Sequence, residues 1–199
     1  MIRNPFKKRI AQDESGATLI EFAFVAPTFM LMLMGLFDLG YGVYMQSALT
    51  GAVQNAARSA ALETGPNKLA AIDLEVKNHI LALNANATVP DPVRKSYFDY
   101  NDVSQPEVFD DTSGDGIRDA GECFEDVNGN DTWDADIGED GVGGPNDIVL
   151  YTVTVSYDRM FPFWHMMGWD QEKTITSSTV LKNQPYGDQS SLVVTTVCT

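Results

Sequence analysis

The stretch Ala17–Phe37 reads ATLIEFAFVAPTFMLMLMGLF, apolar except for Glu21 and two threonines. At about 1.5 Å per residue a helix of this length reaches roughly 30 Å, the thickness of a bilayer's hydrocarbon core. Arg3, Lys7, Lys8 and Arg9 lie just upstream, and the residues after Phe37 carry Asp38 and few cations. The positive-inside rule then puts the N-terminus in the cytoplasm and everything after about residue 40 outside. The pattern is that of a single-pass inner-membrane protein with a short basic leader and an exported domain. A cleaved signal peptide has a shorter apolar middle, although the Ala-rich run after this one has room for a cleavage site. An uncleaved signal anchor fits the hydropathy equally well. A soluble buried helix fits worst, because little else in the chain would cover it on all sides.

Of 199 residues, 13 are basic and 28 acidic, giving a net charge of -15 and a pI near 4.2. Such a chain is repelled by phosphate backbones, which argues against nucleic acid as a partner and for divalent cations as counterparts. The charge is uneven. Between Asp99 and Asp147 stand 16 acidic residues and a single basic one, Arg118. Two cysteines, Cys123 and Cys198, are too few for a disulfide scaffold; one bridge and two free thiols both remain open.

Glu21 has two readings. Near the end of a span a carboxylate can reach the headgroups, but an ionisable residue within a membrane segment is otherwise a functional hypothesis. Its setting, Gly16-Ala17-Thr18-Leu19-Ile20-Glu21 after a polar leader, resembles the processing site of type IV prepilins. That resemblance implies cleavage by a prepilin peptidase between Gly16 and Ala17, leaving Glu21 as the fifth mature residue. The longer run ESGATLIEFAFVAPTFMLMLMGLFDLGYGVYMQSAL resembles the N-terminal region of TadE-like proteins, pseudopilins of the tight-adherence (Flp-type) pilus system. Glu21-Phe22-Ala23, Pro27, the Met/Leu run, Asp38 before a glycine, and the Ala-rich helix from Gln46 to Leu62 carry it. Thr176 to Tyr186 resembles the strand and Asn-x-Pro turn that close such domains, with Lys182 where the family usually has arginine. The likeness covers roughly residues 10–64 and 148–187; some TadG-type relatives with similar helices act uncut.

The helical signal continues through Leu62 and stops at Gly65-Pro66. A second helix is expected from Pro66 to about Asn84, with Leu69, Ile72, Val76, Ile80 and Leu83 on one face. Strands are expected at Ile148–Tyr157, Lys173–Leu181 and Leu192–Val197. Between the first two, the aromatic run Met160–Trp169 holds His165, read as a packed or partly exposed side chain rather than a catalytic group. Such a loop could dock a partner or touch the outer leaflet. Long helix first and small antiparallel sheet later gives an α+β, pilin-like fold. Its segments are a leader at 1–16, the spanning and continuing helix at 17–64, a second helix and linker at 65–98, an acidic insertion at 99–147, and a C-terminal antiparallel sheet at 148–199.

The insertion carries the most specific metal pattern. In the twelve residues Asp111–Glu122, oxygen ligands fall at Asp111, Ser113, Asp115 and Asp119, with glycine at the sixth place and Glu122 at the twelfth. Ile117 supplies its backbone carbonyl at the seventh. This is the spacing of an EF-hand-type calcium loop. A second loop begins the pattern again with Asp126, Asn128, Asn130, Thr132 and Asp134, but its twelfth place is Ile137. Asp136, Glu139 or Asp140 would have to complete it. Tandem loops of this kind resemble calcium repeats of dockerins and extracellular adhesins. A solvated acidic linker is the plainer reading, and export to a calcium-accessible compartment argues against it.

The expected function is therefore that of a minor pseudopilin in the bacterial inner membrane. It would join other pilin-like subunits through its N-terminal helix, with Glu21 available to pair with a neighbour's processed N-terminus, and would carry a structural calcium-binding insertion in the periplasm or outside the cell. The alternative is a single-pass, calcium-binding surface or adhesion module that takes no part in a pilus. No nucleophile elbow, metal-binding His pair or phosphate loop marks an enzyme.

Overall fold

A computed structural model describes residues 17–62, 66–184 and 187–198. Gly16, the basic leader and the Pro185-Tyr186 turn lie outside the described residues. Helix α1 runs unbroken over Ala17–Leu62, 46 residues with Pro27 inside. Helix α2 spans Pro66–Leu83. Four strands, β1 (Val93–Tyr97), β3 (Glu139–Asp140), β4 (Ile148–Asp158) and β5 (Glu172–Lys182), form an antiparallel sheet in the order β3-β1-β4-β5. Strands β2 (Cys123–Asp126) and β6 (Thr195–Cys198) pair in a second, two-stranded sheet. A single helical turn, α3 (Phe163–Met166), lies between β4 and β5. The α+β reading holds: a long apolar helix, a second helix and a small antiparallel sheet.

The chain forms two compact units. One contains α1 as far as Tyr44 together with Arg159–Gln171; the other contains Met45–Asp158 and the chain from Glu172 onward.

The core of the larger unit follows from three periodicities. On α1, Met45, Leu49 and Val53 recur every four residues and are fully buried, with Ala52, Ala56 and Ala57 beside them. On α2, Ile72, Val76 and Ile80 are buried while Glu75, Lys77 and His79 face solvent. On β4, Val149, Tyr151, Val153, Val155 and Tyr157 alternate inward in steps of two. Each fully buried aliphatic side chain here contributes about 1.5–3 kcal/mol. Polar contacts fix the helix against the edge strand β5. The Gln46 amide donates to the Thr176 carbonyl at 3.1 Å, and the Ser177 hydroxyl donates to Thr50 at 3.4 Å.

Strand β1 has no counterpart among the expected strands, because its VRKSY sequence places two cations where a buried strand would read as apolar. Partners on other elements absorb both cations. Arg94 pairs with Asp73 on α2 and lies 4.8 Å above the Tyr151 ring. Lys95 donates to Asp136 at 2.8 Å. Tyr151 donates to Asp73 at 2.9 Å, and burial followed by that hydrogen bond pushes its phenol well above the ordinary value of 10.0.

Two expectations need correction. The last strand forms, but as Thr195–Cys198, and it pairs with β2 rather than extending the sheet of β4 and β5. Cys123 and Cys198 stand directly opposite in that pairing and form a disulfide, which draws the C-terminus to the acidic segment. Nor is the segment 99–147 a plain loop, since it supplies β2 and β3 to the two sheets.

Candidate functional site

The acidic segment is built on a doubled motif that the sequence reading did not isolate. Glu107-Val108-Phe109-Asp110-Asp111 and Glu122-Cys123-Phe124-Glu125-Asp126 share Glu, Phe, an acidic residue and Asp at matching places. Phe109 and Phe124 face each other in an antiparallel bridge. The Asp110 amide donates to the Cys123 carbonyl, and the matching Glu125 amide to the Val108 carbonyl, both at 2.8 Å. The two repeats are thus related by a local two-fold.

In the first loop the Asp111 carboxylate accepts from the amides of Gly114 at 2.6 Å and Gly116 at 2.8 Å. The Ser113 hydroxyl lies 3.3 Å from it, and Asp115 accepts from the Ile117 amide at 2.8 Å. Ile117 keeps its side chain in solvent. Glu122, buried, ties the loop's two ends together by accepting from Thr112, Ser113 and Asp119 amides at 2.8, 3.1 and 2.9 Å. The Gly116 and Gly114 hydrogen bonds hold the Asp111 carboxyl below its ordinary value.

The second loop repeats these contacts. Asp126 is fully buried and accepts from the amides of Gly129, Asn130 and Asp131 at 2.7, 3.2 and 2.9 Å. Burial pushes its carboxyl up, but those amides outweigh it and the net shift is downward. Asn128 and Asn130 both reach the same Asp134 oxygen at 2.7 Å, so the third, fifth and ninth places converge. The Thr132 amide donates to the Asn130 side-chain oxygen at 2.7 Å. At the sixth place, where the first loop has Gly116 at φ 78°, Asp131 adopts φ 58°, a left-handed conformation that Asp tolerates better than most residues.

The residues expected to complete this loop have other partners here. Asp136 is engaged by Lys95, Tyr97 and the Gly138 amide, while Glu139 and Asp140 lie in β3 against β1. The twelfth-place role falls to Glu107, upstream of both loops and 1% exposed, which accepts from the Val127 amide at 2.9 Å and the Asp134 amide at 3.0 Å. The antiparallel bridge brings it there. The doubled Glu-x-Phe-acid-Asp was the available signal. Even the eighth residues correspond. Arg118 lies 4.9 Å over the Phe124 ring and donates to the Glu122 carbonyl, whereas Trp133 meets Phe109 edge-on at 6.1 Å and donates to the Glu107 carbonyl.

Among the described residues, no group of three or more His, Cys, Asp and Glu side chains stands close enough to hold a metal ion. Any calcium shell would draw on the other donor types at these places, the hydroxyl of Ser113, the amide oxygens of Asn128 and Asn130, and the backbone carbonyls of Ile117 and Thr132.

The second candidate site is the first half of α1. The helix is long and apolar enough to cross a membrane, and its most apolar stretch is entirely uncovered. Leu19, Ile20, Phe22, Phe24 and Val25 are all exposed, and Glu21 stands exposed among them. Ala17 opens the helix. At the other end of the apolar run Asp38 is 3% exposed, holding Arg159 at 2.8 Å and the Trp164 indole at 2.9 Å.

Residues 16–58 match the family model described as TadE-like protein. This segment is TadE-like. No curated protein and no solved structure matches the chain. The TadE-like segment contains Glu21, Pro27 and Asp38 and ends within the buried part of α1, at Ala56 and Ala57. Both acidic loops and the C-terminal strands, including the Thr176–Tyr186 likeness, lie beyond it. The TadE-like segment and its uncovered apolar helix fit a membrane-anchored component of a Tad pilus.

Proposed function

We propose that the protein is a minor pseudopilin, anchored in the bacterial inner membrane by α1, that acts non-enzymatically in assembly of a tight-adherence pilus. The observation that carries this reading is Glu21, exposed on an uncovered apolar helix inside the TadE-like segment. A carboxylate at that depth is costly unless it gains a partner. A processed N-terminal amine at Ala17 of a neighbouring pilin-like subunit would be such a partner, with prepilin peptidase making the cut after Gly16. The test is a Glu21→Ala strain of the native host. The protein should still be found in the membrane, with piliation lost. Normal piliation would refute the reading.

The paired loops favour an accompanying calcium site. Asp111, Ser113, Asp115, Ile117, Asp119 and Glu122 would hold one ion, and Asp126, Asn128, Asn130, Thr132, Asp134 and Glu107 another. Calcium would neutralise carboxylates that now rest on uncharged backbone and side-chain donors. If calcium binds and pilus assembly survives loss of the segment 99–147, the protein is instead a membrane-anchored calcium-binding surface module.

A further inference from the structure

The loop between β4 and β5 has a composition that neither the pilus reading nor the calcium reading uses. Met160–Trp169 reads MFPFWHMMGW and contains no Asp, Glu, Lys or Arg, in a chain of net charge -15. Its large side chains are not folded away. Met160, Met166, Met167 and Trp169 are 57, 82, 53 and 56% exposed. Leaving so much apolar surface in water is unfavourable, and exposed apolar surface of this kind marks interaction sites.

The loop is also rigidly sited. Trp164 stacks on Trp169 with ring centroids 5.0 Å apart, and Arg159 lies 4.8 Å above the Trp164 ring. Gln171 closes the base of the loop, donating to the carbonyls of Arg159 at 2.7 Å and Phe161 at 3.2 Å. Arg159 and Trp164 both bind Asp38, the first residue after the apolar run Ala17–Phe37. The anchor helix and the loop belong to the same compact unit. Whatever depth the end of the apolar run takes, the loop takes with it.

We propose that Met160–Trp169 is an interfacial membrane foot, whose Trp169 and methionines enter the headgroup and upper acyl region of the leaflet at the outer end of the apolar run Ala17–Phe37. This rests on the reading of α1 as a membrane anchor. Tryptophan favours that zone because its ring is apolar and its N–H polar, and the absence of formal charge removes the cost of entering it. The exposed Leu39, Val43 and Tyr44 continue the apolar surface of α1 past Asp38, so the interface extends along the helix beside the loop. A bilayer is favoured over a protein partner because the span fixes the bilayer there independently of any partner.

The test uses the full-length Trp133→Phe protein in vesicles carrying lipids brominated near the top of the acyl chains. It should float with the vesicles, and its tryptophan emission should fall about two-fold, with most of that quenching lost in a Trp133→Phe/Trp169→Phe variant. Asp38→Ala should keep flotation while reducing the quenching. Quenching by aqueous iodide with none by the brominated lipid would overturn the foot. Shielding from both quenchers would assign the loop to protein contact and also overturn it. Failure to float would instead overturn the anchor reading on which the proposal stands.

Discussion

Glu107 and Glu122 perform the same task for two different loops. Each carboxylate accepts from the second and ninth amides of its loop, Glu122 from Thr112 and Asp119, Glu107 from Val127 and Asp134. A buried N–H that loses its acceptor costs about 1–3 kcal/mol. Glu107→Ala removes the acceptor of two amides, so in the absence of calcium the second loop should open at lower urea, by about 2–3 kcal/mol. Trp133 lies in that loop, which makes its fluorescence, in a Trp164→Phe/Trp169→Phe background, the readout here and below. Calcium should raise the wild-type urea midpoint and do so less in Glu107→Ala. A midpoint indifferent to calcium in both proteins would remove the metal from the account.

Acid should open the same segment late. Gly116 and Gly114 amides hold Asp111 below its ordinary value of 3.8, and the amides around Asp126 overcome its burial to do the same. Asp136 is lowered too: burial raises it, but the hydrogen bonds from Lys95, the Gly138 amide and Tyr97 together outweigh that. A carboxylate whose folded value is depressed contributes stability that is present above the unfolded value and lost as pH falls through the folded one. Calcium-free protein should therefore keep its Trp133 emission between about pH 7 and about pH 5, and lose it only below about pH 4. A transition centred near pH 6 would contradict this assignment.

The bridge from Cys123 to Cys198 closes a loop of sequence separation 75 and ties β6 to β2. Chain-entropy arguments give such a closure about 4 kcal/mol. Reduction, or Cys198→Ser, should lower the urea midpoint of Trp133 by an amount of this order. An unchanged midpoint would mean that β2 and β6 hold together without the covalent link.

The parts legible in the sequence are those governed by a period or a fixed local order. The apolar run of α1, the buried face at Ile72, Val76 and Ile80, and the strand β4 all appear as read. Strand β1 was hidden because Arg94 and Lys95 are satisfied by Asp73 and Asp136, residues distant in sequence. The separate pairing of β6 depends on a long-range cysteine contact that two cysteines alone leave undecided. In the candidate site the spacing of polar residues and glycines within each loop was readable. Glu107 was not, because its place in the second loop is set by an antiparallel bridge rather than by spacing within the loop. Asp38 has the same lesson: read as an acidic residue before a glycine, it proves to be the anchor point for Arg159 and Trp164.

The doubled Glu-x-Phe-acid-Asp unit has a genetic implication. Each copy lends its glutamate to the other copy's loop, so a single copy would present a loop without its closing carboxylate. Such an arrangement is hard to reach by lengthening one loop residue by residue, and is reached at once by tandem duplication of a short segment. After duplication the two halves are free to diverge outside the shared Glu, Phe, acidic and Asp positions, and Arg118 at the place that matches Trp133 is that divergence.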